Sequence, residues 1–138
     1  MAGSFSNYAE NKVIGLVFKQ NTYASPTNLY VGLSTTALTT AQGDACTGTT
    51  FTGEVTGGAY ARKKCNTWDA AASGATENSQ VVTFAQATAS WGNLKSFGIF
   101  NKTTLGNMIG WGLLTASKTI ASGDTFKFAT GDIDATLT

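Results

Sequence analysis

Polar and apolar positions fall into two regimes along the chain. In "SFSNYAENKVIGLVFKQN", Ala9, Val13, Leu16 and Val17 recur at spacings of three and four, the stripe of an amphipathic helix. Ahead of it Asn7 and Glu10 stand three apart in the form of a capping box, with the Glu10 carboxylate near the positive helix end. The pattern predicts a helix from about Tyr8 to Lys19, within residues 7–20. Gly15 weakens it by roughly 1 kcal/mol relative to Ala, so the chain's own body or a partner must hold its apolar face.

After Pro26 the period changes from helical to two. "NLYVGLS" places Leu29, Val31 and Leu33 on one face and Tyr30 on the other, as in a half-buried strand. Residues 35–58 are polar, glycine-rich and weakly periodic, which predicts a long loop or arm suited to carrying contacts. "AYARKKCNTW" sets Tyr60, Arg62 and Lys64 opposite Ala61, Lys63 and Cys65, a strand with at least one wet face whose basic residues discourage stray pairing. Val82 and Phe84 share a face in the next run. "LKSFGIFN" and "MIGWGLLT" follow, turned by "NKTTLGN", with Ile109, Trp111 and Leu113 on one side and Gly110 and Gly112 on the other. Glycines opposite an indole mark the close approach of another backbone or ring. Phe126 and Phe128 alternate with Lys127 before "IDATL" closes the chain.

Seven or eight short strands from Leu29 onward, with no second helical pattern and no repeat, predict an all-β fold. Its form is an antiparallel β-sandwich, jelly-roll-like, over residues 29–137, with one short N-terminal helix, all within a single domain, 1–138. Trp91, Phe97, Ile99, Trp111, Phe126 and Phe128 are its expected filling.

Composition narrows the function. Only 12% of the 138 residues are charged, about half the usual share, as in many β proteins whose surfaces meet other proteins. A net charge of +1 supplies little of the phosphate neutralisation on which nucleic-acid binding depends, so no nucleic acid is expected as partner. The N-terminal "MAGSFSNYAENK" has no basic leader before an apolar core. The longest apolar runs, Val13 to Phe18 and Met108 to Leu114, fall far short of the about 20 residues that span a bilayer. The expectation is synthesis in the cytoplasm and no membrane partner.

Candidate chemistry is sparse. With no histidine, Ser–His and Cys–His catalysis and a His/Cys zinc site are excluded within one chain. Cys46 and Cys65 are read as free thiols, with a disulfide as the alternative in an oxidising exterior. Asp132 and Asp134, two apart in "GDIDAT", are the best carboxylate pair for a glycosidase or a calcium site, but two oxygens are too few alone, and a solvated strand entry is the simpler reading. Asp124 reads as a turn residue. Arg62, Lys63, Lys64 and Trp68 form a basic cluster that would suit a phosphate chain, yet alternation splits it across two faces, which favours a solvated or inter-subunit salt-bridging strand. The Asn101 sequon marks only a polar turn. No catalytic, cofactor-binding or metal residue is assigned, and neither enzyme activity nor a cofactor is expected.

Five segments, "SFSNYAENKVIGLVF", "TNLYVGLSTT", "GGAYARKK", "ATASWGNLKSFGIFN" and "TASKTIASGDTFKFATGDID", cover well over half the chain. In that order they resemble a family of small tailed-bacteriophage virion proteins, variously described as tail-fibre proteins or as capsid decoration (cement) proteins. Jelly-roll cement proteins of tailed phages are similar in size. The chain departs mainly across Ala37 to Glu54, including Cys46, so partner contacts made there are not implied.

The resemblance implies a structural virion protein made in a bacterial host. The leading expectation is a cement protein, dimeric or trimeric, on the outer surface of an icosahedral head. It would bind the major capsid protein and copies of itself through the N-terminal helix, the 35–58 arm and sheet edges, stabilising only the assembled state. The alternative is a tail-fibre or carbohydrate-binding tail module, for which Tyr23, Tyr30, Tyr60 and Trp68 are the aromatic candidates.

Overall fold

A computed structural model describes residues 3–137. In chain order the elements are β1 (Gly3–Phe5), α1 (Asn7–Val17), β2 (Tyr30–Ser34), α2 (Thr40–Ala45), β3 (Lys63–Lys64), β4 (Ala75–Glu77), β5 (Val82–Thr83), β6 (Gly92–Phe100), β7 (Met108–Ile120), β8 (Lys127–Phe128) and β9 (Asp134–Thr136). β1, β7, β6, β2 and β3 make a five-stranded sheet in that order, and β4–β9 and β5–β8 make two ribbons; every pairing is antiparallel. The predicted all-β, antiparallel class with a short N-terminal helix is the class observed. β1 and β4 carried no pattern that predicted them, and β3, β5 and β8 are shorter than their predicted runs.

The sheet's two faces fill differently, and alternation explains why. Val31, Leu33, Phe97 and Ile99 lie in the main core with Val82, Phe84, Trp91 and Phe128. The β5–β8 ribbon is clamped there by rings: Phe97 meets Phe128 edge-on at 5.6 Å, and Phe128 meets Phe126 at 5.0 Å. Trp111, expected in this filling, belongs instead to a second cluster with Leu38, Cys46, Phe51, Phe100 and Met108. A β-bulge accounts for part of this arrangement: the register runs Ile99↔Gly110 and then Phe100↔Met108, skipping Ile109. Met108 thereby joins Trp111 in the second cluster, while Ile109 packs toward the main core.

That second cluster is roofed by the segment predicted as an arm. Residues 35–58 fold back on the sheet, and Thr40–Ala45 form a second helix with a full capping box. The Gln42 N–H donates to the Thr39 hydroxyl at 3.3 Å, and the Thr39 N–H donates to the Gln42 side chain at 3.0 Å.

Candidate interaction surfaces

The N-terminal helix is tied to the sheet at its start and capped by its own backbone at its end. Its cap is Ser6 and not Asn7: the Ser6 side chain accepts from Ala9 N–H, and Ser6 N–H donates to Ile109 O at 3.0 Å. Ser6 is fully buried and its hydroxyl also donates to Met108 O, so the cap doubles as a rivet onto β7. The other end closes with a Schellman pattern, Gln20 N–H to Gly15 O at 2.7 Å and Lys19 N–H to Leu16 O at 3.3 Å. Lys19 sits at φ 56, where glycine is usual. The helix therefore ends at Val17, short of the predicted span.

The predicted stripe divides. Ala9 is buried and Val13 half-buried, but Leu16 and Val17 are exposed at 49% and 68%. Ile14 and Phe18 are exposed at 54% and 70%, which completes a solvent-facing apolar group at i, i+3 and i+4 with Val17. One turn earlier the same outward face is polar, carrying Asn7, Glu10 and Asn11. The C-terminal end of α1 is therefore apolar on its solvent side.

Arg62 is not on a wet strand. It is 6% exposed, and its Nε and Nη2 donate to the two Glu54 carboxylate oxygens at 2.7 Å each. Nη2 also donates to Gly48 O at 2.9 Å and Nη1 to Leu105 O at 3.1 Å, while the guanidinium lies 3.5 Å from the centre of the Phe100 ring. Tyr60 donates its hydroxyl proton to Glu54 at 3.1 Å and accepts from Leu33 N–H at 2.8 Å. Burial, with the Glu54 carboxylate second, holds the Tyr60 phenol well above its ordinary range. The hub ties residues 48–54, 60–62 and the 102–105 turn together. Lys63 and Lys64 are exposed on the edge strand β3, as expected for edge protection.

A cavity of about 220 Å³ opens between the sheet and the β4–β9 ribbon, walled by Phe5, Leu29, Trp68, Phe97, Ile99 and Trp111 and lined almost wholly by carbon. Trp68 donates its Nε1–H to Cys65 O at 3.0 Å, so its ring is fixed. Tyr60 is stacked on Phe84 at 6.2 Å, and Tyr23 and Tyr30 are half-buried.

The acidic candidates separate. Asp132 lies in the turn before β9 and accepts from Ala129 N–H at 2.7 Å, so it does not share a strand face with Asp134. Asp124 accepts from Ala121 N–H at 2.9 Å, as a turn residue should. No group of three or more His, Cys, Asp or Glu among the described residues is placed to hold a metal ion. Cys46 and Cys65 are free and buried in different clusters, and burial pushes the Cys65 thiol up to about 11. Asn101 closes its turn by accepting from Asn107 N–H at 2.8 Å. Among the described residues no helix is long and apolar enough to cross a membrane.

The sites missed in the sequence differ in kind. Thr39-Thr40-Ala41-Gln42 carries the capping-box signature openly, whereas nothing local marks Arg62, whose partners are 8 to 43 residues away. No curated protein matches this sequence. The family model for the podophage GP4 fiber I protein gp80 matches residues 4–136, nearly the whole chain, and the protein belongs to that family of phage virion proteins.

Proposed function

We propose that this chain is a fibre subunit of a phage virion that works by docking and not by catalysis. The observation that carries the reading is the apolar group Ile14, Val17 and Phe18, exposed on a helix riveted to β7 at its start, in a chain of a fibre family. Burying such side chains stabilises a contact by roughly 1.5–3 kcal/mol each when cover is complete. A sugar-binding tail module has less support, because Tyr60 is packed with its hydroxyl engaged and the cavity beside Trp68 is walled by carbon.

A second reading is cement on the outer surface of an icosahedral head, bound to the major capsid protein. The exposed edge strand β3 and the apolar end of α1 are the contacts that support it, whereas residues 35–58, expected as a reaching arm, fold back onto the sheet. Gold-labelled antibody against the chain, viewed on purified particles by electron microscopy, separates the readings. Label on the tail supports the fibre, label over the shell supports cement, and unlabelled particles with exposed epitopes would overturn both.

A further inference from the structure

The carbon-lined cavity between the sheet and the β4–β9 ribbon owes its space to a glycine. In the register of β1, β7 and β6, Phe5 pairs with Gly110 and Gly110 with Ile99, so the position between those two side chains on the core face carries none of its own. Beyond its chain neighbours, a Cβ built on Gly110 meets only the Ser4 carbonyl group within 4 Å among the described residues. Thr76 and Ala135, partners across the ribbon, line the cavity from the other side, and Leu29 and Trp68 complete the wall. The polar groups there are turned elsewhere. The Ser4 hydroxyl donates to Phe5 O at 3.3 Å, the Thr76 hydroxyl to Asp69 O at 2.7 Å and Trp68 Nε1–H to Cys65 O at 3.0 Å. A water settles in such a space only with about two to four polar partners, and this wall meets it with carbon. The cavity therefore suits an apolar occupant and rejects a polar one.

Size and wall chemistry set the class of that occupant. A dry apolar cavity of roughly 150 Å³ holds a benzene ring. At about 220 Å³ this one has room for a ring bearing about two or three further carbons. Rings in the wall at Phe5, Trp68 and Phe97 offer edge and face contacts to a flat aromatic guest that an alkyl chain does not use. We propose that the cavity is a binding site for a small uncharged aromatic molecule of about eight or nine carbon atoms. The site is separate from the apolar end of α1, and it stands whether the chain belongs to the tail or to the head.

Calorimetric titration of the purified full chain with p-xylene tests the proposal, with p-cresol as its counterpart of the same shape in which a hydroxyl replaces one methyl. One p-xylene is expected to bind per chain and to shift the tryptophan fluorescence, since Trp68 is in the wall. Binding of p-cresol should be weaker by about tenfold or more, because its hydroxyl finds no partner. Ala135→Leu fills the cavity from the ribbon and Ile99→Phe from the sheet; each should weaken p-xylene binding by about tenfold or more with an unchanged circular dichroism spectrum. No heat and no fluorescence change up to the solubility limit of p-xylene, p-cresol bound as tightly as p-xylene, or binding indifferent to both filling variants would each overturn the site. Binding of n-hexane as tight as that of p-xylene would overturn the aromatic class. The comparison of p-xylene with p-cresol uses the wild type alone, so it decides the matter even where a filled cavity fails to fold.

Discussion

Gly43 of α2 lies against the indole of Trp111 in β7, so close that a Cβ at residue 43 would stand inside the ring. The neighbouring Asp44 carboxylate accepts from Trp111 Nε1–H at 3.0 Å, so one helical turn both covers the ring and satisfies its polar atom. Gly43→Ala would ordinarily strengthen a helix by about 1 kcal/mol, but here it overpacks the second cluster. The expected outcome is a net loss of about 1–3 kcal/mol in urea unfolding, with a shift in tryptophan fluorescence as α2 lifts.

Glu54 and Arg62 illustrate a buried pair whose partners are unequal to removal. Glu54→Gln leaves a guanidinium at 6% exposure without its countercharge and should cost about 3–5 kcal/mol. Replacing both, as Glu54→Leu with Arg62→Met, should cost less than Glu54→Gln alone, because no charge is left buried. Thermal denaturation of the three proteins orders them directly.

How much of this was legible in the sequence depends on the range of each interaction. The β6–β7 hairpin follows from alternation and a glycine-bearing turn, both local, and its strands stand where the pattern puts them. The helix was legible, but its cap moved to Ser6 because Ser6 is chosen by β7, through Met108 and Ile109, which are far away in sequence. Trp111 leaves the main core because it pairs with Gly98, on the face opposite Phe97 and Ile99, and this cross-strand register is not carried by the alternation within either strand. Arg62 looked wet because charge was read without its partners; Glu54, Gly48 and Leu105 reach it only in three dimensions. The outward apolar group on α1 was half visible, since the stripe was seen but not the body it would fail to cover.

Lys19 occupies the left-handed position that glycine adopts without strain. Lys19→Gly should raise stability by about 0.5–1 kcal/mol, read as a higher midpoint in chemical denaturation with an unchanged slope.

Cys65 gives the fold a dependence on alkaline pH. Burial raises its thiol from the ordinary 9.0 to about 11, so the native state resists a deprotonation that the unfolded chain undergoes two units earlier. Its contribution is fully present below pH 9.0 and is lost as pH rises toward about 11. Tyr60, also raised, acts in the same direction at still higher pH. Melting temperature should therefore fall across this window, and Cys65→Ser should flatten the fall. Native Cys65 should also react slowly with iodoacetamide at pH 8 and rapidly once unfolded.

The copy number of this chain per purified particle, measured by quantitative mass spectrometry against the major shell protein, tests the central claim most directly. A fibre subunit predicts a small number set by the symmetry of the tail. A number comparable to that of the shell protein would contradict the fibre assignment and place the chain on the head, and a chain absent from the particle would contradict a structural role altogether.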